Sequence, residues 1–285
     1  MTTQERVERG ALLRAFFAQI VTAKAGVRQA MPALVAAFAK IERERFLGPG
    51  PWRIFTADGY VDTPSDDPAF VYQDMAIGLV RDRPINNGEP SLHARALAAL
   101  DLKAGERVLH VGTGSGYYTA ILAELVGATG HIEGREIEPD LVGRATENLR
   151  ERANVAIVAR SGLDAPLPAS DAIYVNAGAS RPVAAWLDAL KAGGRLIFPL
   201  TAGLGAGVML KIVRSEAAEA MAVSIVSPAA FIPCSGGQDE GEGMRLMEAL
   251  RRGDVRRVRS LRRGDEPDET CWLAGTGWWF STREA

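Results

Sequence analysis

The sequence predicts an α/β protein: a doubly wound, mostly parallel sheet with helices on both faces, a helical segment before it and a small extension after it. Three observations predict this. Between residues 81 and 230, short apolar runs alternate with stretches of helical period, as parallel strands joined by right-handed crossovers require. A glycine-rich loop, Gly112-Thr113-Gly114-Ser115-Gly116, lies directly between one such run and one such helix. The 285 residues are 47% hydrophobic and 24% charged, which suits an ordinary globular chain of one or two domains with a sizeable core.

The elements follow in order. Leu12, Leu13, Phe16, Phe17, Ile20 and Val21 mark one face of a first helix. Pro32 opens a second, with Leu34, Val35, Phe38 and Ile41 on its buried side, because proline in the first turn gives up only an amide that had no partner. Residues 48 to 68, rich in Pro, Gly and Asp, read as an inserted loop. Val108–Val111 is a strand, and Ile121, Leu122, Leu125 and Val126 face inward from the helix after the glycine loop. His131–Ile137 is a second strand, and Leu141, Val142, Ala145 and Leu149 mark the next helix. Val155–Val158 and Ala172–Val175 are strands; Val183, Trp186, Leu187 and Leu190 form a helix that stops at Gly193-Gly194, before a strand from Arg195 to Leu200. Val208–Val213 and Ala222–Val226 have no strong helix between them and read as an antiparallel hairpin. Met244, Leu246, Met247 and Leu250 suggest a short helix in the tail. The expected segments are 1–80 (helical, with the insertion), 81–230 (the α/β domain) and 231–285 (an extension packed on the core).

Composition excludes several classes. A net charge of −2 gives no global field for nucleic acid or an anionic membrane. Cys234 and Cys271 are too few and too far apart for a disulfide framework or a metal knuckle, and with three His no metal site is expected. No signal-peptide pattern or bilayer-length apolar run is visible, so a reducing cytoplasm fits. Arg251, Arg252, Arg256, Arg257, Arg259, Arg262 and Arg263 crowd one stretch, with Asp254, Asp265, Glu266, Asp268 and Glu269 beside them. A solvated basic strand facing an acidic turn is expected, with Trp272, Trp278 and Trp279 fastening the tail by packing.

The glycine loop points to a ligand. Its backbone must turn tightly and admit a close approach, which glycine permits. The helix amides beyond Gly116 then favour an anionic group. Twenty residues after Gly116, at the end of the second strand, stands Glu136, where an acid accepts hydrogen bonds from ribose hydroxyls. NAD and S-adenosylmethionine both suit such a site. Tyr117 stands where the dinucleotide fingerprint has its third glycine, and the spacing is G-x-G-x-G, which favours S-adenosylmethionine.

Val108-Leu109-His110-Val111-Gly112-Thr113-Gly114-Ser115-Gly116-Tyr117 resembles the cofactor loop of protein-L-isoaspartate O-methyltransferases. Ile41-Glu42-Arg43-Glu44-Arg45-Phe46 is similar to that family's Val-Pro-Arg-Glu-x-Phe, and Tyr72-Gln73-Asp74 to its Tyr-Glu-Asp. Pro84 to Ala94 occupies the place of its Gln-Thr-Ile-Ser-Gln-Pro-Tyr segment. Asp171–Val175, Leu190–Leu196 and Phe231-Ile232-Pro233 resemble later family segments in the same order, so the resemblance spans residues 10 to 235. It implies a Rossmann-like class I methyltransferase fold of seven strands, the last antiparallel. It implies an S-adenosylmethionine-dependent O-methyltransferase, with S-adenosylhomocysteine as product. The acceptor would be a carboxylate on a protein, peptide or small acid. A nicotinamide-dependent oxidoreductase and a non-catalytic S-adenosylmethionine-binding protein stand as alternatives. The implied cofactor residues are His110, Gly112, Thr113, Gly114, Ser115, Gly116, Glu136, Ile137, Ser161, Gly162 and Asn176; Tyr72, Asp74, Asn86 and Asn87 fall at the acceptor end.

Three departures stand out. His110 replaces an acid that helps hold the methionine end of the cofactor in the family. Ser161 replaces an Asp facing the adenine, with Asp164 close enough to compete. Gly88 takes the place of a serine near the acceptor, in an Asn86-Asn87-Gly88 turn expected to lead into a Ser91 helix cap. Losing that hydroxyl implies weak activity on isoaspartyl peptides. A carboxylate acceptor is already an anion at neutral pH, so no general base is required; a phenol or amine would need one, with Asp74, His93 and His110 as candidates.

Overall fold

The computed structural model describes residues 3–203, 205–215, 220–264 and 266–285. In chain order its elements are α1 (Thr3–Lys24), α2 (Pro32–Lys40), β1 (Arg53–Thr56), β2 (Gly59–Asp62), α3 (Pro90–Leu100), β3 (Arg107–Val111), α4 (Tyr117–Val126), β4 (His131–Glu136), α5 (Pro139–Leu149), β5 (Val155–Ala159), β6 (Ser170–Val175), α6 (Ala184–Ala189), β7 (Leu190–Leu200), β8 (Ala206–Val213), β9 (Met221–Ala230), α7 (Glu240–Arg252), β10 (Ser260–Arg263), β11 (Cys271–Gly275) and β12 (Trp278–Ser281). The class is α/β, as expected. The chain divides into two compact units: Met1–Gly105 with Thr113–Ala159, and Glu106–Gly112 with Arg160–Ala285.

In the first unit, β4 and β5 pair in parallel, from Ile132 opposite Val155 to Glu136 opposite Ala159. Helix α5 buries Leu141, Ala145 and Leu149. Helix α2 buries Leu34, Ala37 and Phe38 behind Pro32 in its first turn. Helix α1 departs from the expected face. Phe17 and Val21 are buried, while Leu12 is 73% exposed, Phe16 67% and Ile20 41%. The apolar residues cover more of the helix circumference than the buried seam of Phe17, Ala18, Val21 and Thr22 can cover.

The insertion is not the plain loop expected. Within it β1 and β2 form an antiparallel hairpin, with Ile54 opposite Val61 and Phe55 opposite Tyr60. These residue types favour extended backbone. The turn closes at Gly59, whose φ is +108°, and the Thr56 hydroxyl accepts from the Asp58 amide at 3.3 Å. The Asp58-Gly59 pair between apolar residues is the hairpin signal that the surrounding Pro and Asp residues mask.

In the second unit, strand neighbours run β11-β12-β10-β9-β8-β7-β6-β3. β3, β6 and β7 are parallel, and β7-β8-β9 are antiparallel, so the expected hairpin forms from Ala206↔Ala230 to Val213↔Ala222. Ala172, Ile173, Tyr174 and Val175 are all fully buried, which suits a parallel strand covered on both faces. Helix α6 ends at Ala189, and β7 already begins at Leu190; the expected helix to Gly193-Gly194 is overridden by hydrogen bonds from the Gly193 amide to Arg214 and from the Arg214 amide to Gly194. Glycines contribute little helix propensity to resist this.

The tail adds strands to the same sheet. β10 pairs with both β9 and β12, with Arg262 opposite Trp279 and Arg263 opposite Trp278. Arg262 and Arg263 thus stand opposite tryptophans in the sheet, with the Arg262 guanidinium 5.5 Å from the Trp279 ring centroid. Hydrogen bonds from Thr270 are the first cause of a lowered Asp268 pKa, the Arg262 charge also lowers it, and Arg257 pairs with Asp254. Of the flanking acids, Asp265 lies outside the described residues. Trp272, Trp278 and Trp279 are buried, as their packing role required. Among the described residues no helix is long and apolar enough to cross a membrane.

Candidate cofactor-binding site

Glu136 organises the site in the first unit. Its carboxylate is 6% exposed and accepts three backbone amides: Gly114 at 2.7 Å on Oε2, and Ile137 at 2.8 Å and Glu138 at 3.1 Å on Oε1. A carboxylate oxygen has two lone pairs, so Oε1 is saturated and Oε2 keeps one acceptor site. Ile137 beside it is 48% exposed, an apolar surface next to a polar anchor. Glu138 stands at the N-cap position of α5 and pairs with Arg83 at 2.6 Å.

The glycine loop has the backbone its composition requires. Gly114 and Gly116 have φ of +57° and +96°, a region costly for other residues. A Cβ on Gly116 would stand 2.8 Å from the Leu149 side chain, so glycine here also lets α4 and α5 approach. The Ser115 carbonyl accepts from the Asn148 side chain at 2.9 Å. The Thr113 hydroxyl is buried and makes no hydrogen bond within the protein.

The acceptor-end residues also lie in this unit. Arg43 is fully buried, and its guanidinium donates to the carbonyls of Val71 (2.6 Å), Gln73 (2.7 Å) and Met75 (2.7 Å). It thereby clamps the Tyr72-Gln73-Asp74 segment. Residue counting could not find this role, because an arginine beside two glutamates reads as a surface residue. The Tyr72 hydroxyl donates to Glu44, and burial together with that carboxylate pushes its pKa well above the ordinary phenol range. Asp74 accepts the Ser91 amide at 2.7 Å and pairs with Lys24. Ser91 is therefore not the helix cap: α3 begins at Pro90, Glu89 is the cap residue, and Asp74 satisfies the Ser91 amide from outside the helix.

Asn86 and Gly88 form the expected turn, with the Gly88 amide donating to Asn86 Oδ1 at 2.9 Å. The Asn86 amide reaches the Tyr60 hydroxyl at 3.2 Å. Asn87 points inward, and its Oδ1 accepts the Ile77 amide at 2.8 Å. Gly88 has φ +71°, and a Cβ there would lie 2.1 Å from His93 Nε2. The imidazole stacks on Tyr118 with centroids 3.8 Å apart. A side chain at position 88 is thus blocked by His93.

In the second unit, Gly112 has φ +73° and packs on the Asn176 backbone. His110 is fully buried, stacks on Tyr174, and places Nε2 2.8 Å from the Asn176 side-chain amide. Burial pushes its pKa down to about 3, so the ring is neutral where the family has a charge. Asn176 Oδ1 is buried without a hydrogen-bond partner. Ser161 Oγ accepts the Leu163 amide at 3.1 Å, and the Gly162 carbonyl accepts from Trp186 at 2.8 Å. A Cβ at Gly162 would meet Val111 at 2.2 Å, which only glycine avoids. Asp164 is exposed.

The family model for Protein-L-isoaspartate(D-aspartate) O-methyltransferase (PCMT) matches residues 20–239. The chain belongs to the protein-L-isoaspartate O-methyltransferase family. Relatives carrying that name include one from Ignicoccus hospitalis, 37% identical over 158 residues and covering 53% of this chain and 74% of its own. Another, from Nitrosospira multiformis, is 30% identical over 233 residues, covering 79% and 88%. Among solved structures, a protein-L-isoaspartate O-methyltransferase superposes with a TM-score of 0.65 at 22% identity, over 82% of this chain and 69% of the other. A second, from Plasmodium falciparum, gives 0.60 at 20% identity, over 78% and 98%, and supports the same fold. As a family member this chain is an S-adenosylmethionine-dependent O-methyltransferase, and a nicotinamide oxidoreductase is not favoured.

Proposed function

We propose that the chain transfers a methyl group to a carboxylate on a protein or peptide, without a general base. The observation that carries this reading is the acceptor end. Tyr72 is held protonated, Asp74 accepts the Ser91 amide and is ion-paired with Lys24, and Asn87 carries only an amide. None of the three offers a base, and a carboxylate acceptor needs none. The bound cofactor supplies an electrophilic methyl group on a sulfonium. The chain's own contribution is alignment and exclusion of water, and alignment alone is worth about 7–11 kcal/mol.

The residues fit the cofactor. Glu136 Oε2 has the one lone pair left that a ribose hydroxyl needs, and the apolar side chain of Ile137 suits a purine face. Gly112 and Gly114 are half-buried and, with no side chains, would let a ligand approach the Gly112-Thr113-Gly114-Ser115-Gly116 backbone closely. The unpaired Oδ1 of Asn176, oriented by His110, suits the ammonium of the methionine end in place of the missing carboxylate. Ser161 and Gly162 would face the adenine. Tyr72, Asp74, Asn86 and Asn87 act by position.

The test is transfer of labelled methyl groups to an isoaspartyl peptide and its aspartyl control. Label released as methanol at alkaline pH marks a carboxyl ester and supports the reading; slow turnover is expected, because Gly88 offers no hydroxyl. Alkali-stable label on the peptides would overturn it. A second proposed feature is an acceptor of protein or peptide origin, as in the names of the relatives.

A further inference from the structure

The inserted hairpin is joined to the acceptor end through both backbone and side chains. The Phe55 amide donates to the Ala76 carbonyl at 2.9 Å, and the Gly78 amide to the Arg53 carbonyl at 2.8 Å. On the other side of the same segment, the Leu79 amide donates to Ile85 at 2.8 Å and the Asn87 amide to Ile77 at 3.0 Å. The β1–β2 hairpin and the run from Ile85 to Asn87 therefore flank one shared segment in an antiparallel arrangement. Gly78 lets the Tyr60 ring lie against that segment, since a Cβ there would stand 3.3 Å from Tyr60 Cε1. The Phe55 ring, with its centroid 5.2 Å away, and the Arg53 guanidinium, 4.8 Å from the Tyr60 centroid, pack on the same ring.

This packing sets two hydrogen-bond donors side by side. Asn86 Oδ1 accepts the Gly88 amide at 2.9 Å, which fixes the orientation of the side-chain amide, because a backbone N–H can only donate. Asn86 Nδ2 then faces Tyr60 and donates one hydrogen to its hydroxyl at 3.2 Å. The second Nδ2 hydrogen and the Tyr60 hydroxyl proton are taken by no described residue. Both side chains are half-buried, as is Gly88 beside them. Asp62, on the same face of β2 as Tyr60, is shared between Arg53 at 3.8 Å and Arg81 at 3.3 Å. Asn87 offers no comparable donor, because its Nδ2 is buried.

We infer that Tyr60 and Asn86 bind the acceptor's carboxylate, each donating to one of its oxygens. With 3.2 Å between the two donor atoms, both reach a single carboxylate, and hydrogen bonds to an ionised acceptor are the stronger kind. Gly88 has no side chain to donate, and Asn86 lies one hydrogen bond away from it. The insertion is then part of the acceptor site. This inference deepens the proposed function and rests on its carboxylate acceptor.

Two peptides test it by calorimetric titration into the full chain saturated with S-adenosylhomocysteine. One is an isoaspartyl peptide, and the other has that free carboxyl replaced by a carboxamide. Wild type should bind the carboxylate peptide at least about tenfold more tightly than the carboxamide. Tyr60→Phe keeps the packed ring and removes one donor, so it should bring the two affinities closer by at least about fivefold. Asn86→Asp keeps an acceptor for the Gly88 amide and sets a negative charge where the donor was. It should invert the preference, so that the carboxamide peptide binds more tightly. The readout is the ratio of the two affinities, which a loosened turn would leave unchanged. Melting curves and S-adenosylhomocysteine affinity should match wild type in both variants. Wild type that binds neither peptide, or binds both equally, would overturn the inference. So would a wild-type ratio in Tyr60→Phe and Asn86→Asp. The fate of the methyl label at alkaline pH separates the two readings: methanol release with unaltered ratios in the variants overturns the Tyr60–Asn86 contact alone, whereas alkali-stable label with the expected ratios overturns the methylation reading and leaves the contact.

Discussion

His110 shows how one buried side chain sets a pH response. Its pKa is about 3 in the fold because burial penalises the cation, against about 6.5 in an unfolded chain. Below pH 6.5 the unfolded state therefore binds a proton that the folded state refuses. Stability is full above that pH and is lost as pH falls toward 3, at about 1.4 kcal/mol per pH unit. Urea unfolding of wild type and His110→Asn at pH 7 and pH 5 should show a smaller acid loss in the variant; equal losses would contradict the assignment. Gly88 makes a second point at this scale. Its φ of +71° and the 2.1 Å approach of a Cβ to His93 Nε2 predict that Gly88→Ala costs more than about 2 kcal/mol, as backbone strain and overpacking add. Gly88→Ala combined with His93→Ala should recover the overpacking part. A Gly88→Ala protein as stable as wild type would show that the turn relaxes freely.

At the scale of elements, α3 depends on a residue outside it. The Ser91 amide in its first turn finds its acceptor in Asp74, which the buried Arg43 holds in place through three carbonyls of the same segment. Removing a cap of this kind costs about 0.5–2 kcal/mol. The exposed Lys24 partner adds little. Asp74→Ala should lower stability by that amount, while Asp74→Asn, which keeps an acceptor oxygen, should retain both stability and turnover. Loss of turnover in a stable Asp74→Asn protein would instead give the carboxylate a chemical role. Elements whose pattern is local were legible beforehand. The strand–loop–helix around Gly112 to Gly116 and the β8–β9 hairpin follow from glycine spacing and apolar runs. What was not legible depends on partners distant in sequence. The covered and uncovered sides of α1, the strand that cuts α6 short at Leu190, and the tryptophans opposite the basic strand are all decided by tertiary pairing. The β1–β2 hairpin is a different case, since its Asp58-Gly59 turn was present but outweighed by its surroundings.

At the scale of the whole molecule, family membership and fold agree with the glycine loop and its acid, while the departures from the family's motifs fall at His110, Ser161 and Gly88. The neutral His110, hydrogen-bonded to Asn176, stands where the resemblance has an acid, and Gly88, packed against His93, stands where it has a serine. Glu136 is unchanged from the expected pattern, and one of its three amide bonds, from Gly114, also holds the glycine loop. Hydrogen bonds to a charged group are worth about 1.5–3 kcal/mol, so removing this carboxylate should weaken nucleoside binding by more than about tenfold. The most direct test is isothermal titration calorimetry of wild type and Glu136→Ala with S-adenosylhomocysteine and with NAD, alongside circular dichroism to verify folding. Wild type should bind one S-adenosylhomocysteine per chain and no NAD, and the folded variant should bind S-adenosylhomocysteine at least about tenfold more weakly. Unchanged S-adenosylhomocysteine affinity in a folded Glu136→Ala protein, or heat from NAD and none from S-adenosylhomocysteine, would contradict the account.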